Sequence, residues 1–222
     1  MNSGVAGAYW AMPQIGAPTD TDVLLVVDVQ LDFMPGGALA VPDGDTIVSP
    51  INHLLHRFSH AIATQDWHPP GHASFASAHP GKNPFDTMRL AYGEQTLWPD
   101  HCIQASAGAA FHPALDLSRI EMVIRKGFQP EIDSYSGFRE NDRRTRTGLH
   151  GYLQERGFRR VFITGLARDY CVHYTAMDAR ELGYAVVVVE NCCRAIDAAG
   201  ADAARRALAQ RGGMSLKLNA LA

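Results

Sequence analysis

Apolar residues along this chain fall into short unbroken runs with polar residues at either end. The first is Asp22-Val-Leu-Leu-Val-Val-Asp28. A run without polar alternation suits a strand covered on both faces, as in a parallel sheet. Ala61-Ile-Ala-Thr64, Met122-Val-Ile124, Arg160-Val-Phe-Ile-Thr164 and Tyr184-Ala-Val-Val-Val-Val-Glu190 repeat it, and Met214-Ser-Leu-Lys-Leu218 is a sixth candidate. Helical spacing lies between these runs. Ile47, Ile51, Leu54, Leu55 and Phe58 form one buried stripe. Thr147 is placed to cap a helix carrying Leu149, Tyr152 and Leu153 that stops near Gly157. Asp169 is placed to cap the next, through about Leu182, with Gly183 just past its end. An Ala-rich helix over 199–210 ends at Gly212-Gly213. Strands alternating with helices predict an α/β fold on a mainly parallel sheet.

Two stretches break the pattern. Residues 1–20 are rich in Gly, Ala and Pro and read as an irregular extension ahead of a domain over 21–222. From His68 to about Leu117 periodicity is weak and Pro, Gly and His are frequent. A loop that long inside a compact domain is expected to be functional.

Composition narrows the class. With 222 residues, 46% of them hydrophobic, the chain can bury a core as one domain. A net charge of −3 offers no basic surface for nucleic acid or anionic lipid. No run approaches the roughly 18 apolar residues of a membrane span, and no basic stretch precedes an apolar one at the N-terminus, so neither anchor nor signal peptide is expected. Four Cys form no disulfide framework, which points to a reducing, cytoplasmic setting. GxGxxG, Walker A and HExxH motifs are absent.

The candidate chemistry sits at strand ends, each candidate beside a plainer reading. Asp28 ends the first strand, where open α/β sheets gather their ligands, or it is a turn-forming Asp. Asp66 and His68 follow the second strand two residues apart and point the same way; with His101 they make a carboxylate-and-two-imidazole set that Zn, Fe or Mn accepts. His72, Ser74 and His79 are further candidate ligands in the same loop, and a hydrogen-bonded loop pair is the alternative. Lys126 ends the third strand, entering a cleft or lying solvated. Cys171 falls in the first turn of a helix, where free amides and the dipole favour a thiolate and can hold an oxyanion. Its alternative is a small buried Cys, the reading preferred for Cys102, Cys192 and Cys193. His53, His56 and His60 read as a solvated helix edge, and Arg143, Arg144 and Arg146 as a solvated basic run.

Taken in order, several segments resemble one family. They are Asp28-Val-Gln-Leu-Asp-Phe33, Pro35-Gly-Gly-Ala-Leu39, Gln65-Asp-Trp-His-Pro69, His72-Ala-Ser-Phe75, Trp98-Pro-Asp-His-Cys102, Arg125-Lys-Gly127, Tyr135-Ser-Gly-Phe138 and Gly165-Leu-Ala-Arg-Asp-Tyr-Cys171-Val. The chain is thereby similar, from about residue 22 to 218, to the nicotinamidases (pyrazinamidases) within the isochorismatase-like cysteine hydrolases. The resemblance implies a three-layer α/β/α fold on a mainly parallel six-stranded sheet, with the long loop as a metal-binding insertion. It implies a catalytic triad of Asp28, Lys126 and Cys171. It also implies one divalent metal, Zn foremost and otherwise Fe or Mn, on Asp66, His68 and His101, with waters, Ser74 or His72 completing the shell. Phe33, Trp98, Tyr135 and Tyr170 match the walls around a pyridine ring. A cis bond at Leu166-Ala167 would aim the amides of Ala167 and Cys171 at an oxyanion. The implied activity is hydrolysis of nicotinamide to nicotinate and ammonia in NAD salvage. The neighbouring readings are an amidase for maleamate or a carbamoyl or ureido substrate, and a metal-hydroxide hydrolase with Cys171 merely buried. No oligomeric state follows from the sequence, which is compatible with a homo-oligomer.

Overall fold

A computed structural model describes residues 15–221. Six strands form one sheet: β1 (Asp22–Val27), β2 (Ala61–Asp66), β5 (Met122–Lys126), β6 (Arg160–Gly165), β7 (Ala185–Cys193) and β8 (Met214–Leu216). Their order is β5-β2-β1-β6-β7-β8, and every pairing is parallel. All six expected strands are present. β1 and β2 are buried at every position, which is why their runs show no polar alternation.

Helices cover both faces. α1 (Val48–Leu55) packs Ile51, Leu54 and Leu55 against Leu24, Val26, Phe162 and Val187. On the opposite face α2 (Leu149–Glu155), α3 (Cys171–Glu181) and α4 (Ala198–Gln210) set Leu153, Val172, Ala176 and Leu208 against Val23, Leu25, Ile163 and Val188. The three-layer α/β/α architecture follows. Among the described residues no helix is long and apolar enough to cross a membrane.

The helix starts differ from expectation. Thr147 is not the N-cap of α2; Gly148 is, at φ 98°, while the Thr147 hydroxyl accepts the Leu149 amide at 3.2 Å. Asp169 does not cap α3 either. Its carboxylate accepts the amides of Ile196 and Asp197 at 3.1 and 2.8 Å, tying the turn after β6 to the start of α4. The side chain competes for the nearest unpaired amides, and these lie on the neighbouring crossover.

The long loop contains an antiparallel hairpin, β3 (Thr87–Leu90) and β4 (Gly93–Thr96), that the sequence pattern gave no sign of. Single bridges close the loop on itself, His68 with Ile103 and Phe75 with Trp98, and tie it to the segment after β1 through Gln30 and Phe111. Of the expected extension over 1–20, residues 1–14 lie outside the described residues. Ile15 is buried and bridges Leu221.

The strand order reverses between β1 and β6. The chain moves outward from β1 through β2 to β5, and from β6 through β7 to β8. Loops leaving the carboxyl ends of β1 and β6 therefore part there and leave a crevice, the usual ligand site of such sheets. Gly165 closes β6 at this point with φ 110°, and a Cβ there would collide with the Val27 carbonyl oxygen. Gly165→Ala combines a left-handed backbone with a clash against backbone. It is expected to lower unfolding free energy by about 2–4 kcal/mol in urea titration.

Candidate active site

Neighbouring strands deliver the polar groups to one point. Asp28 follows β1, Asp66 ends β2, Lys126 ends β5, and Cys171 opens α3 beyond β6. All four are buried. Lys126 Nζ lies 2.9 Å from Asp28 Oδ2 and donates to Ser134 O at 3.0 Å and to Cys171 Sγ at 3.5 Å. It also pairs closely with Asp66 Oδ1. The Asp28 Oδ2 contact is an ion pair without hydrogen-bond alignment, which leaves that oxygen free to receive a proton. Asp28 itself sits at φ 49°, and Oδ1 accepts the Thr64 hydroxyl at 2.6 Å. Register explains that contact: Thr64 stands opposite Val27, one residue before Asp28.

Burial dominates the electrostatics. It pushes the Asp28 carboxyl up to about 6, with Lys126 pulling the other way. Asp66 is also penalised by burial, but Lys126 and the two imidazoles outweigh that and hold it well below the usual carboxylate range. Burial likewise opposes the charge on Lys126, yet Asp28 and Asp66 raise it well above the ordinary value, so it stays an ammonium. The Cys171 thiol is raised by burial, against the pull of Lys126. This reverses the expectation of a resting thiolate. Asp28 and Asp66 add to burial in disfavouring the anion, and Lys126 favours it.

Cys171 follows a turn whose Leu166–Ala167 peptide is cis. The amides of Ala167 and Cys171 meet no acceptor among the described residues. Both residues line the same pocket.

Asp66 turns its other oxygen to the imidazoles. Oδ2 lies 3.8 Å from His68 Nε2 and 3.9 Å from His101 Nε2. Ligand atoms of these three buried residues all fall within 4.8 Å of one another. His68 Nδ1 donates to Gly127 O at 2.9 Å and His101 Nδ1 to Pro99 O at 2.8 Å. A carbonyl can only accept, so each Nδ1 carries a proton and each Nε2 is turned to Asp66. That is how ligating imidazoles are usually held. Burial opposes the charge on His68, but Asp66 raises its midpoint above the usual imidazole range; burial and His68 lower that of His101 to about 4. The set fits a divalent metal. His72 sits against His68, but Nε2 is engaged by Gln129 O at 2.8 Å and Nδ1 by Ser74 Oγ at 2.8 Å. Ser74 is buried beside it, and His79 Nε2 donates to Ala73 O.

Phe33, Trp98, Tyr135 and Tyr170 line one pocket together with Asp66, His101, Ala167 and Cys171. Trp98 meets Tyr170 edge to face at 4.9 Å, and its Nε1 donates to Tyr135 Oη at 3.2 Å. The pocket is a slot with aromatic walls, the thiol on one side and the imidazoles on another. Sequence reasoning missed Leu39, Asp133, Ser134 and Ile196 in this lining. It also missed Gln30, whose amide accepts from Asp66 N and donates to Asp66 O, each at 2.8 Å. Gln30 lies just past β1, and its contact with Asp66 left no signal in the sequence. His60 pairs with Glu121, and Arg143 with Asp178 and Glu181, away from the pocket.

Comparison with known proteins identifies the family. Residues 22–219 match the isochorismatase domain family. A nicotinamidase of Acinetobacter baylyi is 54% identical over 177 residues, covering 80% of this chain and 83% of the relative. The structure of PnC1 from L. infantum in complex with nicotinate superposes with TM-score 0.83 at 42% identity, covering 94% of this chain and 98% of that one. A pyrazinamidase of Pyrococcus horikoshii in complex with zinc gives TM-score 0.75 at 34% identity, covering 89% and 99%. The chain belongs to the isochorismatase-domain family, on its nicotinamidase branch.

Proposed function

We propose that this amidohydrolase converts nicotinamide and water to nicotinate and ammonia, and accepts pyrazinamide-like ring amides, through a thioester on Cys171. One observation carries the reading: a buried ammonium contacts Asp28 and Cys171 on one side and the metal-facing carboxylate Asp66 on the other.

The resting thiol is neutral, so attack and proton transfer are coupled. As Sγ closes on the amide carbon, Asp28 takes the thiol proton, and Lys126 stabilises the charge that develops on sulfur and carboxylate. The tetrahedral oxyanion rests on the amides of Ala167 and Cys171, contacts of a kind worth about 3–4 kcal/mol each. Protonated Asp28 returns the proton to the departing ammonia. It then draws a proton from water, which attacks the thioester and releases the carboxylate product. An Asp with its midpoint raised to about 6 by burial suits both roles. Phe33, Trp98, Tyr135 and Tyr170 clamp the ring. A divalent metal bound by Asp66, His68 and His101 would supply a Lewis-acidic point that holds the ring nitrogen and orients the amide. Zinc is our first choice, given the zinc-bound relative; Fe and Mn suit the same donors. Ser74 is the better further ligand, since both His72 nitrogens are engaged. We place the reaction in NAD salvage, in the cytoplasm, on family resemblance and four unpaired cysteines.

Ammonia release from nicotinamide tests this directly. Cys171→Ala is expected to abolish turnover while keeping the fold by circular dichroism; turnover that survives would move the chemistry to metal hydroxide. Asp28 accepts a proton only when ionised. The acid limb of kcat/KM therefore falls tenfold per pH unit below about 6, and an unbroken profile down to pH 4 would refute the assignment. Chelation is expected to weaken nicotinamide binding at least tenfold and to leave the iodoacetamide rate of Cys171 within about twofold.

A further inference from the structure

Asp133 is a buried carboxylate beside the centre with no part in the steps above. It lines the pocket with Asp66 and His101 and is 2% exposed. Its hydrogen bonds come from neutral donors: Oδ1 accepts the Ser134 amide at 2.8 Å, and Oδ2 accepts Gln95 Nε2 at 2.7 Å. Gln95 cannot turn its amide over. Its Oε1 takes Tyr92 Oη at 3.0 Å and Asn141 Nδ2 at 3.2 Å, while Nε2 also donates to Thr96 O and Tyr135 Oη. The network therefore holds an acceptor oxygen at Asp133 Oδ2.

The other side of Asp133 faces the imidazoles. Oδ1 lies 4.0 Å from His68 Nε2, the same nitrogen that Asp66 Oδ2 approaches at 3.8 Å. His68 Nδ1 donates to Gly127 O, so Nε2 is the ring atom turned to both carboxylates. Asp133, His68 and His72 also form a second group of donor atoms within 4.8 Å of one another. Asp66 and Asp133 therefore flank one imidazole nitrogen from two sides. Buried polar groups need partners, and a divalent cation seated among these donors would supply one.

From this geometry we propose that Asp133 belongs to the metal centre, supplying the second carboxylate charge on the imidazole side and so setting the affinity for a divalent cation. The inference rests on Asp66, His68 and His101 being the metal ligands. Outer carboxylates of this kind commonly change metal affinity about 10- to 100-fold.

Zinc affinity of the metal-stripped full chain, measured by competition with a chromogenic chelator, separates the two ideas without any assay of turnover. Asp133→Asn is expected to bind zinc about 10- to 100-fold more weakly than wild type. That change also sets an amide against Gln95 Nε2, so a second variant combines Asp133→Asn with Gln95→Glu. It restores a donor–acceptor pair between the two side chains while moving the charge away from His68. The change gives up the donor to Thr96 O, so a native circular dichroism spectrum is the control, and the variant should bind zinc as weakly as the single variant. Zinc affinity within threefold of wild type in either variant overturns the proposal. A wild-type chain that takes up neither Zn, Fe(II) nor Mn removes the metal reading itself, and this inference with it.

Discussion

A single ammonium organises the carboxyl end of the sheet. Lys126 Nζ reaches Asp28 from β1, Asp66 from β2 and Cys171 beyond β6, so one cation fixes the ends of four adjacent strands, β5-β2-β1-β6. It is wholly buried. Removing one partner of such a group leaves uncompensated charge in a water-poor interior, at a cost of about 3–5 kcal/mol. The ammonium therefore cannot be separated into a structural part and a chemical part. The contacts that hold the strand ends in register also put a proton acceptor and a nucleophile within reach of one another.

Asp66 extends that constraint to the imidazoles. One of its oxygens belongs to Lys126 and the other faces His68 and His101. Gln30 grips its backbone on both sides, and Gly127, the residue after Lys126, accepts from His68 Nδ1. A Cβ on Gly127 would strike the His68 ring. The nucleophile and the metal-type donor set thus share a carboxylate and a pair of neighbouring residues on β5 and its exit. A displacement in one half is carried into the other through packed, hydrogen-bonded groups.

The six strands were legible because both faces of the sheet are covered, which leaves apolar runs with no interruption. The β3–β4 hairpin was not: its residues are mostly exposed or half-buried and leave no buried alternation to read. Asp28, Lys126, Cys171, Asp66, His68 and His101 could be picked out because strand ends of an α/β sheet are where such groups gather, and because their surrounding segments resemble a family. Thr64, Gln30 and Asp133 could not. Thr64 and Gln30 meet partners 36 positions away, a contact that only sheet register creates. Asp133 meets Gln95 across 38 positions and through the hairpin strand that the pattern concealed. Burial at Cys171 was hidden for a related reason. A helix terminus is a local feature, visible in the sequence, whereas burial depth is set by the whole assembly.

That buried, protonated thiol has a consequence for durability. Oxidation of cysteine starts from an accessible thiolate. Cys171 is only 7% exposed, at the bottom of an aromatic slot, and keeps its proton until an amide carbonyl arrives. Peroxide and disulfide reagents find little anion to attack, while the substrate meets a nucleophile that Asp28 unmasks in the same step. The chain gains chemical longevity from the same burial that makes its nucleophile dormant.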